Sequence, residues 1–249
     1  MADDLIRMEN ITKFYGRIKA LENVTISVRR GEVVGLLGDN GAGKSTLIKV
    51  LSGAVPATSG EVFIRGEKVE IKSTTDAINN GIETIYQDSA LVTQLSIARN
   101  LFLGREPTRG PRLFNRLDHK KMDEVAATLL KQVGISKNIP SSTPIGSLSG
   151  GERQAVAIAR AMQFDSDLII LDEPTNNLGV AETQGVLQFV RNARDSGHSC
   201  IFIAHNIHHV FQVVDRIVVM RRGVVVADDI DPRHSSVEAV ERVITGLDL

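Results

Sequence analysis

Residues Gly38-Asp39-Asn40-Gly41-Ala42-Gly43-Lys44-Ser45-Thr46 fit the pattern G-x-x-x-x-G-K-[ST] at every fixed position. The surroundings fit as well. Val33-Val34-Gly35-Leu36-Leu37 is an apolar run that reads as a buried strand entering the loop. Leu47, Ile48, Val50 and Leu51 follow at helical spacing, with Gly53 as the stop. Strand, glycine-rich loop and helix in this order make a phosphate-binding loop. The glycines let backbone amides turn inward around a phosphate chain, and the helix start adds partial positive charge. Lys44 is placed to reach the β- and γ-phosphates, and the Ser45 hydroxyl to hold Mg²⁺. A glycine-rich turn that binds nothing would not need all three parts in register.

The chain has 249 residues, room for one large domain or two small ones. Folding at this length buries roughly 70–75% of the unfolded surface, so no covalent staple is needed. The formal net charge is −1 with both signs interspersed, which argues against a nucleic-acid surface built on gross charge. The single Cys200 excludes an internal disulfide and suits a reducing compartment; its place inside an apolar run marks a core residue. No apolar run approaches the length of a membrane span. Met1-Ala2-Asp3-Asp4 is acidic, unlike the start of a secretory signal. A cytoplasmic protein is expected.

Residues 5–28 alternate as strands do, ending in Val24-Thr25-Ile26-Ser27-Val28. Glu61–Arg65 and Lys68–Ile71 flank Gly66-Glu67 as a hairpin. From Asp118 to Val133 the pattern is helical, with Met122, Val125, Ala126 and Leu129 on one face. Proline and glycine breaks at Pro107–Pro111 and Pro140–Gly146 frame an inserted helical lobe over 89–163. Strand and helix then alternate: Leu168–Leu171, a helix over 181–195, Ser199–Ala204, a further helix, and Ile217–Met220. That alternation predicts a parallel α/β sheet. The tail after Pro232 reads as helical.

Leu168-Ile169-Ile170-Leu171-Asp172 is an apolar strand ending in a carboxylate, which at the C-terminal end of a parallel strand can face Mg²⁺ at the loop. Glu173 follows, where it can polarise a water attacking the γ-phosphate. Leu148-Ser149-Gly150-Gly151-Glu152-Arg153-Gln154 opens another helix. Ser149 and Glu152 make a capping box, and Ala155, Ile158, Ala159 and Met162 form the expected buried stripe. A capping box alone does not call for the two glycines, which expose amides at a helix start where anions bind.

This set of motifs resembles the ATP-binding subunit of an ABC transporter over nearly the whole chain. The resemblance implies a P-loop NTPase fold with a parallel α/β core, an antiparallel β subdomain and an inserted α-helical subdomain. It implies one ATP-binding domain over 5–249, its core formed by 5–88 and 164–249 and its helical part by 89–163. Ser149, Gly150 and Gly151 match the family's signature sequence, which contacts the γ-phosphate of ATP held by a second subunit. Tyr15 matches the aromatic that stacks on adenine, Gln87 the glutamine joining the metal site to the helical lobe, and His205 the histidine that contacts the γ-phosphate. Glu173, His205 and Gln87 are thus the implied catalytic set, and Ser45, Gln87 and Asp172 the implied Mg²⁺ ligands. His205 and His209 lie at i, i+4, but the sequence supplies no third ligand for zinc.

One departure is clear: Gly179, in Asn176-Asn177-Leu178-Gly179, stands where many members carry an aspartate that reaches across the dimer. Glu173–Thr183, Asn100–Pro107 and His205–Phe211 are similar to the monosaccharide class of importers, and to its single-domain fructose- or ribose-type ATPases. The partners so implied are a second ATPase subunit, membrane permease subunits and a periplasmic or extracellular sugar-binding protein, with the chain on the cytoplasmic face of the membrane and no nucleic acid involved. A soluble ABC module acting without a permease is the alternative. Against its DNA-repair form, the interval from Lys44 to Asp172 holds no heptad array.

Overall fold

The computed structural model describes residues 4–86, 91–110, 115–133, 139–163, 166–176 and 178–247. In chain order the elements are β1 (Asp4–Tyr15), β2 (Ile18–Arg29), β3 (Val33–Leu37), α1 (Lys44–Leu51), β4 (Ser59–Ile64), β5 (Glu67–Val69), α2 (Thr74–Asn79) and β6 (Ile82–Ile85). Then come α3 (Ile97–Leu101), the short pair β7 (Thr108–Arg109) and β8 (Arg116–Leu117), α4 (His119–Gln132), a 3-10 turn (Ile145–Ser147) and α5 (Gly150–Met162). The chain closes with β9 (Leu168–Asp172), α6 (Val180–Asp195), β10 (Ser199–Ile203), α7 (Ile207–Phe211), β11 (Arg216–Arg221), β12 (Val224–Ile230) and α8 (Val237–Thr245).

Two larger sheets carry the fold. The antiparallel one has order β2-β1-β4-β5, and the other has order β12-β11-β3-β10-β9-β6. In the second, β11, β3, β10, β9 and β6 run parallel and β12 closes one edge antiparallel. Of these, β3, β9, β10 and β11 are built on apolar runs because both faces are buried, whereas β6 is interrupted by Glu83 and Thr84. Val33, Leu37, Ile169, Leu171, Cys200, Phe202, Ile217 and Val219 point into a core shared with the helical lobe and α6. Val34, Leu36, Leu168, Ile170, Ile201, Ile203, Val218 and Met220 point the other way, into a core shared with α1 and the antiparallel sheet. One sheet is therefore the common wall of two cores. Cys200 lies within it, and burial, with Asp215 nearby, pushes its thiol up to about 12.

The structure refines three expectations. The 61–71 hairpin turns at Arg65-Gly66, one residue earlier than its glycine suggests. The buried face of α5 also takes in Val156, Ala157 and Ala161, while Ala155 and Met162 are only partly buried. That helix is wedged between α3, α4, α6 and β6, so more than one stripe is covered. The strands β6 and β12 were not expected at all.

A buried ion pair lies where the two sheets meet. Arg216, at the start of β11, donates Nε to Glu32 Oε1 at 2.7 Å and Nη2 to Glu32 Oε2 at 3.2 Å. The same guanidinium donates to the Ser27 carbonyl of β2 at 2.8 Å and to the Asp228 carbonyl of β12 at 2.5 Å. The two side chains are only 9% and 7% exposed. Such a fork fixes orientation as well as charge. Removing one partner strands the other in a poor solvent, at a cost of about 3–5 kcal/mol.

Two predictions follow from this pair. Arg216→Ala is expected to lose about 3–5 kcal/mol of unfolding free energy in urea titration; a loss under about 1 kcal/mol would show that water already screens the site. Burial pushes the Glu32 carboxyl up, but the hydrogen bonds from the Arg216 guanidinium and the Arg29 amide, with the charges of both arginines, outweigh it and leave it below its ordinary value. A carboxyl depressed on folding stabilises above its unfolded pKa and loses that contribution as pH falls through its folded one. The stability gap between wild type and Glu32→Gln should therefore be full at pH 7 and shrink below the ordinary carboxylate range, as followed by thermal melts.

Candidate functional site

Parallel strands bring their C-terminal ends to one edge, and loops leaving that edge form sites. Here Gly38 leaves β3, Glu173 leaves β9 and His205 lies just beyond β10. Register places Phe202 beside both Gly35 and Leu171, and Ile203 beside Asp172.

The loop Gly38–Gly43 is shaped by what presses on it. Gly38 has φ 149°, and a Cβ there would lie 2.3 Å from the Met220 carbonyl of β11. Gly43, at φ 105°, is the N-cap of α1 and supplies no side-chain cap, so the first amides of the helix stay open to an anion. The Lys44 ammonium is buried and donates to the carbonyls of Gly38 at 2.7 Å and Asp39 at 3.1 Å. Burial lowers its pKa, with Glu173, Asp172 and Asp39 pulling in the opposite direction.

An open cavity of ≈ 480 Å³ lies over this loop. Asn40–Thr46 form one wall, Ile18–Ala20 and Arg222-Gly223 another, and Glu173 reaches it as well. Tyr15 is the cross-strand partner of Ile18. Both side chains are open to solvent, 43% and 71% exposed, and leave an apolar edge beside the cavity.

Glu173 is held from several sides. Its φ is 53°, a left-handed value that costs a non-glycine residue roughly 1–3 kcal/mol. Its amide donates to the Ile203 carbonyl at 3.0 Å. His205 Nε2 lies 2.8 Å from one carboxylate oxygen, and Asn176 Nδ2 donates to the other. Beside it, burial and then the Glu173 charge raise the Asp172 carboxyl. A divalent cation would relieve that crowding of negative charge. The Ser45 hydroxyl and the Asp172 carboxylate are the hard oxygen donors Mg²⁺ prefers, so this donor set fits the ion.

Ser149 caps α5 as the sequence predicts: its hydroxyl accepts from the Glu152 amide at 3.2 Å, and its own amide donates to the Glu152 carboxylate at 2.8 Å. Ser149 and Gly150 are exposed, and none of Ser149, Gly150 and Gly151 lines the cavity over the Gly38–Thr46 loop. A Cβ at Gly151 would lie 2.0 Å from Glu182 Cγ, and one at Gly179 would lie 2.5 Å from a Glu182 oxygen. Glu182 thus lies across both glycines. A carboxylate is present beside Gly179 after all, on the residue one turn into α6.

His209 contacts Thr175 Oγ1 and Asn206 Nδ2, each at 3.3 Å, which accounts for both ring nitrogens. Gln87 and Asn177 lie outside the described residues. The structure adds Ile18, Asn176, Glu182 and Arg222 to the residues around the site. Only Asn176 had a local signal, its place directly after Glu173-Pro174-Thr175.

With this geometry in hand, comparisons with known proteins agree. The family model described as ABC transporter matches residues 21–176. A xylose/arabinose import ATP-binding protein of Sulfolobus acidocaldarius is 43% identical, covering 99% of this chain and 96% of that protein. A fructose import ATP-binding protein of Rhizobium meliloti is 41% identical over 89% of this chain and 86% of its own length. Against the galactofuranose transporter ATP-binding protein of Escherichia coli K12, 42% identical, the chain spans 43% of the relative's length. Among solved structures, a nucleotide-free ATP-binding cassette from an ABC transporter superposes with a TM-score of 0.82 at 27% identity, covering 96% of this chain and 98% of its own. A dimeric cassette in a post-hydrolysis state bound to ADP and Pi gives 0.78 at 26% identity, over 92% of this chain and 100% of that one. The chain belongs to the ABC transporter family, as one of its ATP-binding subunits.

Proposed function

We propose that this chain is the ATP-hydrolysing subunit of a monosaccharide importer, working as a dimer on the cytoplasmic face of the membrane. The observation that carries the reading is the separation within one subunit of two anion-binding helix starts. The Gly38–Thr46 loop opens on its own cavity, while Ser149–Gly151 lie outside it on the exposed start of α5. Two copies facing each other would let each complete the other's site. The dimeric cassette bound to ADP and Pi supports that arrangement, and the printed names of the xylose/arabinose and fructose relatives support sugar import.

In this reading the open amides of α1 and the Lys44 ammonium bind the phosphate chain, and Tyr15 and Ile18 present an apolar edge to adenine. Ser45 and Asp172 would hold Mg²⁺, joined by Gln87 on the family resemblance, and the ion would neutralise charge on the phosphate oxygens. Glu173 accepts the proton of the attacking water as its oxygen bonds to the γ-phosphorus and the bond to the ADP oxygen breaks. His205 and Asn176 hold the Glu173 carboxylate in place for that transfer. Among the described residues no helix is long and apolar enough to cross a membrane; transport is assigned to separate permease subunits on the family resemblance and the import names of the relatives. On the family resemblance their contact falls near Gln87, over 88–105. Leu91, in that range, lines a small pocket between β6 and α5 with Glu83, whose carboxyl burial raises, with Arg105 3.5 Å away.

Glu173→Gln should bind ATP and dimerise as wild type does, with kcat lower by about 10²–10⁴-fold. Turnover within a few-fold of wild type would remove Glu173 from the base role. Ser149→Arg should leave ATP affinity of the isolated subunit within about twofold while abolishing ATP-dependent dimers on gel filtration. Hydrolysis persisting in that variant at low protein concentration would rule out a shared site. Purification in complex with its permease and sugar-binding protein, followed by ATPase assays across pentoses and hexoses, tests the transport reading. No stimulation by any sugar, with the chain recovered wholly in the soluble fraction, would overturn it.

A further inference from the structure

Two hairpins in this fold turn on the same dipeptide. Arg65-Gly66 joins β4 to β5 at φ 52° and 83°, and Arg222-Gly223 joins β11 to β12 at φ 49° and 82°. Two-residue turns with both φ values positive favour asparagine or aspartate before the glycine, because a long side chain gains nothing from the left-handed backbone. Arginine at the first position needs a reason. For Arg65 the reason is visible: its guanidinium pairs with Asp167, across the molecule. For Arg222, no hydrogen bond or ion pair of the side chain occurs among the described residues. It is exposed, and it lines the cavity over the Gly38–Thr46 loop.

The turn that carries Arg222 is fastened to that loop. Gly223 donates its amide to the Ala42 carbonyl at 2.9 Å and accepts from the Glu22 amide at 2.8 Å. A Cβ on Gly43 would stand 3.3 Å from the Gly223 Cα, so the two backbones meet in close contact. Arg222 is therefore held at a set distance from the phosphate-binding amides. The other cations lining the cavity are engaged: Lys44 by two loop carbonyls, and Lys19 by Glu22 at 2.5 Å. A planar guanidinium with free donors suits phosphate oxygens better than any other side chain.

We propose that Arg222 is a nucleotide-binding residue of this subunit, its guanidinium contacting the phosphate chain from the turn that is fastened beside the Gly38–Thr46 loop. The inference rests on the reading of that cavity as the ATP site. It explains why a strained arginine occupies a turn where aspartate or asparagine would fold at lower cost. The contact forms with the nucleotide as a whole rather than with the transition state, so it acts on affinity and leaves the chemical step alone.

The test compares Arg222→Gly, Arg222→Lys and Lys44→Ala with wild type, using the full chain. Calorimetric titration with ATP, ADP and adenosine is read beside KM, kcat and thermal melting. Arg222→Gly should weaken ATP and ADP by about 3–10-fold, raise KM in step and leave kcat within about twofold. Its melting temperature should hold or rise, because glycine suits the left-handed backbone. Weaker binding in a protein no less stable is an outcome a purely structural turn residue would not give. Arg222→Lys should recover part of the affinity. Wild-type affinity in Arg222→Gly, with Lys44→Ala unable to bind, overturns the inference and leaves the site reading intact. An equal loss with adenosine moves the contact off the phosphates and also overturns it. Failure of wild type to bind ATP, or normal binding by Lys44→Ala, sinks the site reading and this inference with it.

Discussion

Parallel hydrogen bonding among β3, β10 and β9 is the constraint on which the rest depends. It aligns Gly35 with Phe202 and Leu171, and Asp172 with Ile203. Any groups that follow these strands then emerge within reach of one another. The Gly38–Thr46 loop, two adjacent carboxylates and a histidine meet there although the loop lies far from the others in the chain. Antiparallel pairing would have sent their connections to alternate ends. The helices exist in part to make this sheet possible, since parallel strands need crossovers and both faces need cover.

Burial on both faces creates the second requirement. A sheet walled by two cores has to stay in register with the antiparallel layer, and apolar packing is poorly directional. The Arg216 guanidinium supplies direction. It touches β2, the Glu32 turn, and β12 from its seat on β11, so it ties three backbone segments at one point. Close packing then carries position from that end of the sheet to the other, where the Met220 carbonyl presses on Gly38. The shape of the phosphate loop is set as much by β11 as by its own glycines.

What could be read from the residues follows from how local each signal is. The Gly38–Thr46 loop, the capping box at Ser149 and the apolar strands are contiguous patterns with one favoured conformation, and all appear where expected. The strand β6 is not legible in the residues because it is four residues long and carries Glu83; only its pairing with β9 makes it a strand. Similarly, β12 includes Asp228 and Asp229 and holds its place by lying at an edge against β11. The encounter of Glu182 with Gly151 and Gly179 joins two helix starts from separate lobes, which no spacing rule encodes. Gly179 read alone marks a missing carboxylate, while the folded chain brings one back from the next turn of α6.

The left-handed backbone at Glu173 has an evolutionary side. Glycine or asparagine would relax that position, so on the proposed role of Glu173 stability and hydrolysis pull the residue in opposite directions. A lineage that kept this fold for binding alone would feel only the first pull. Position 173 should then drift towards the residues the backbone prefers, while Gly38 and Gly43, pressed by Met220 and by Ala20 and Gly223, would stay fixed. If Glu173 is the base, its loss at this strained position would be a recognisable trace of retired catalysis.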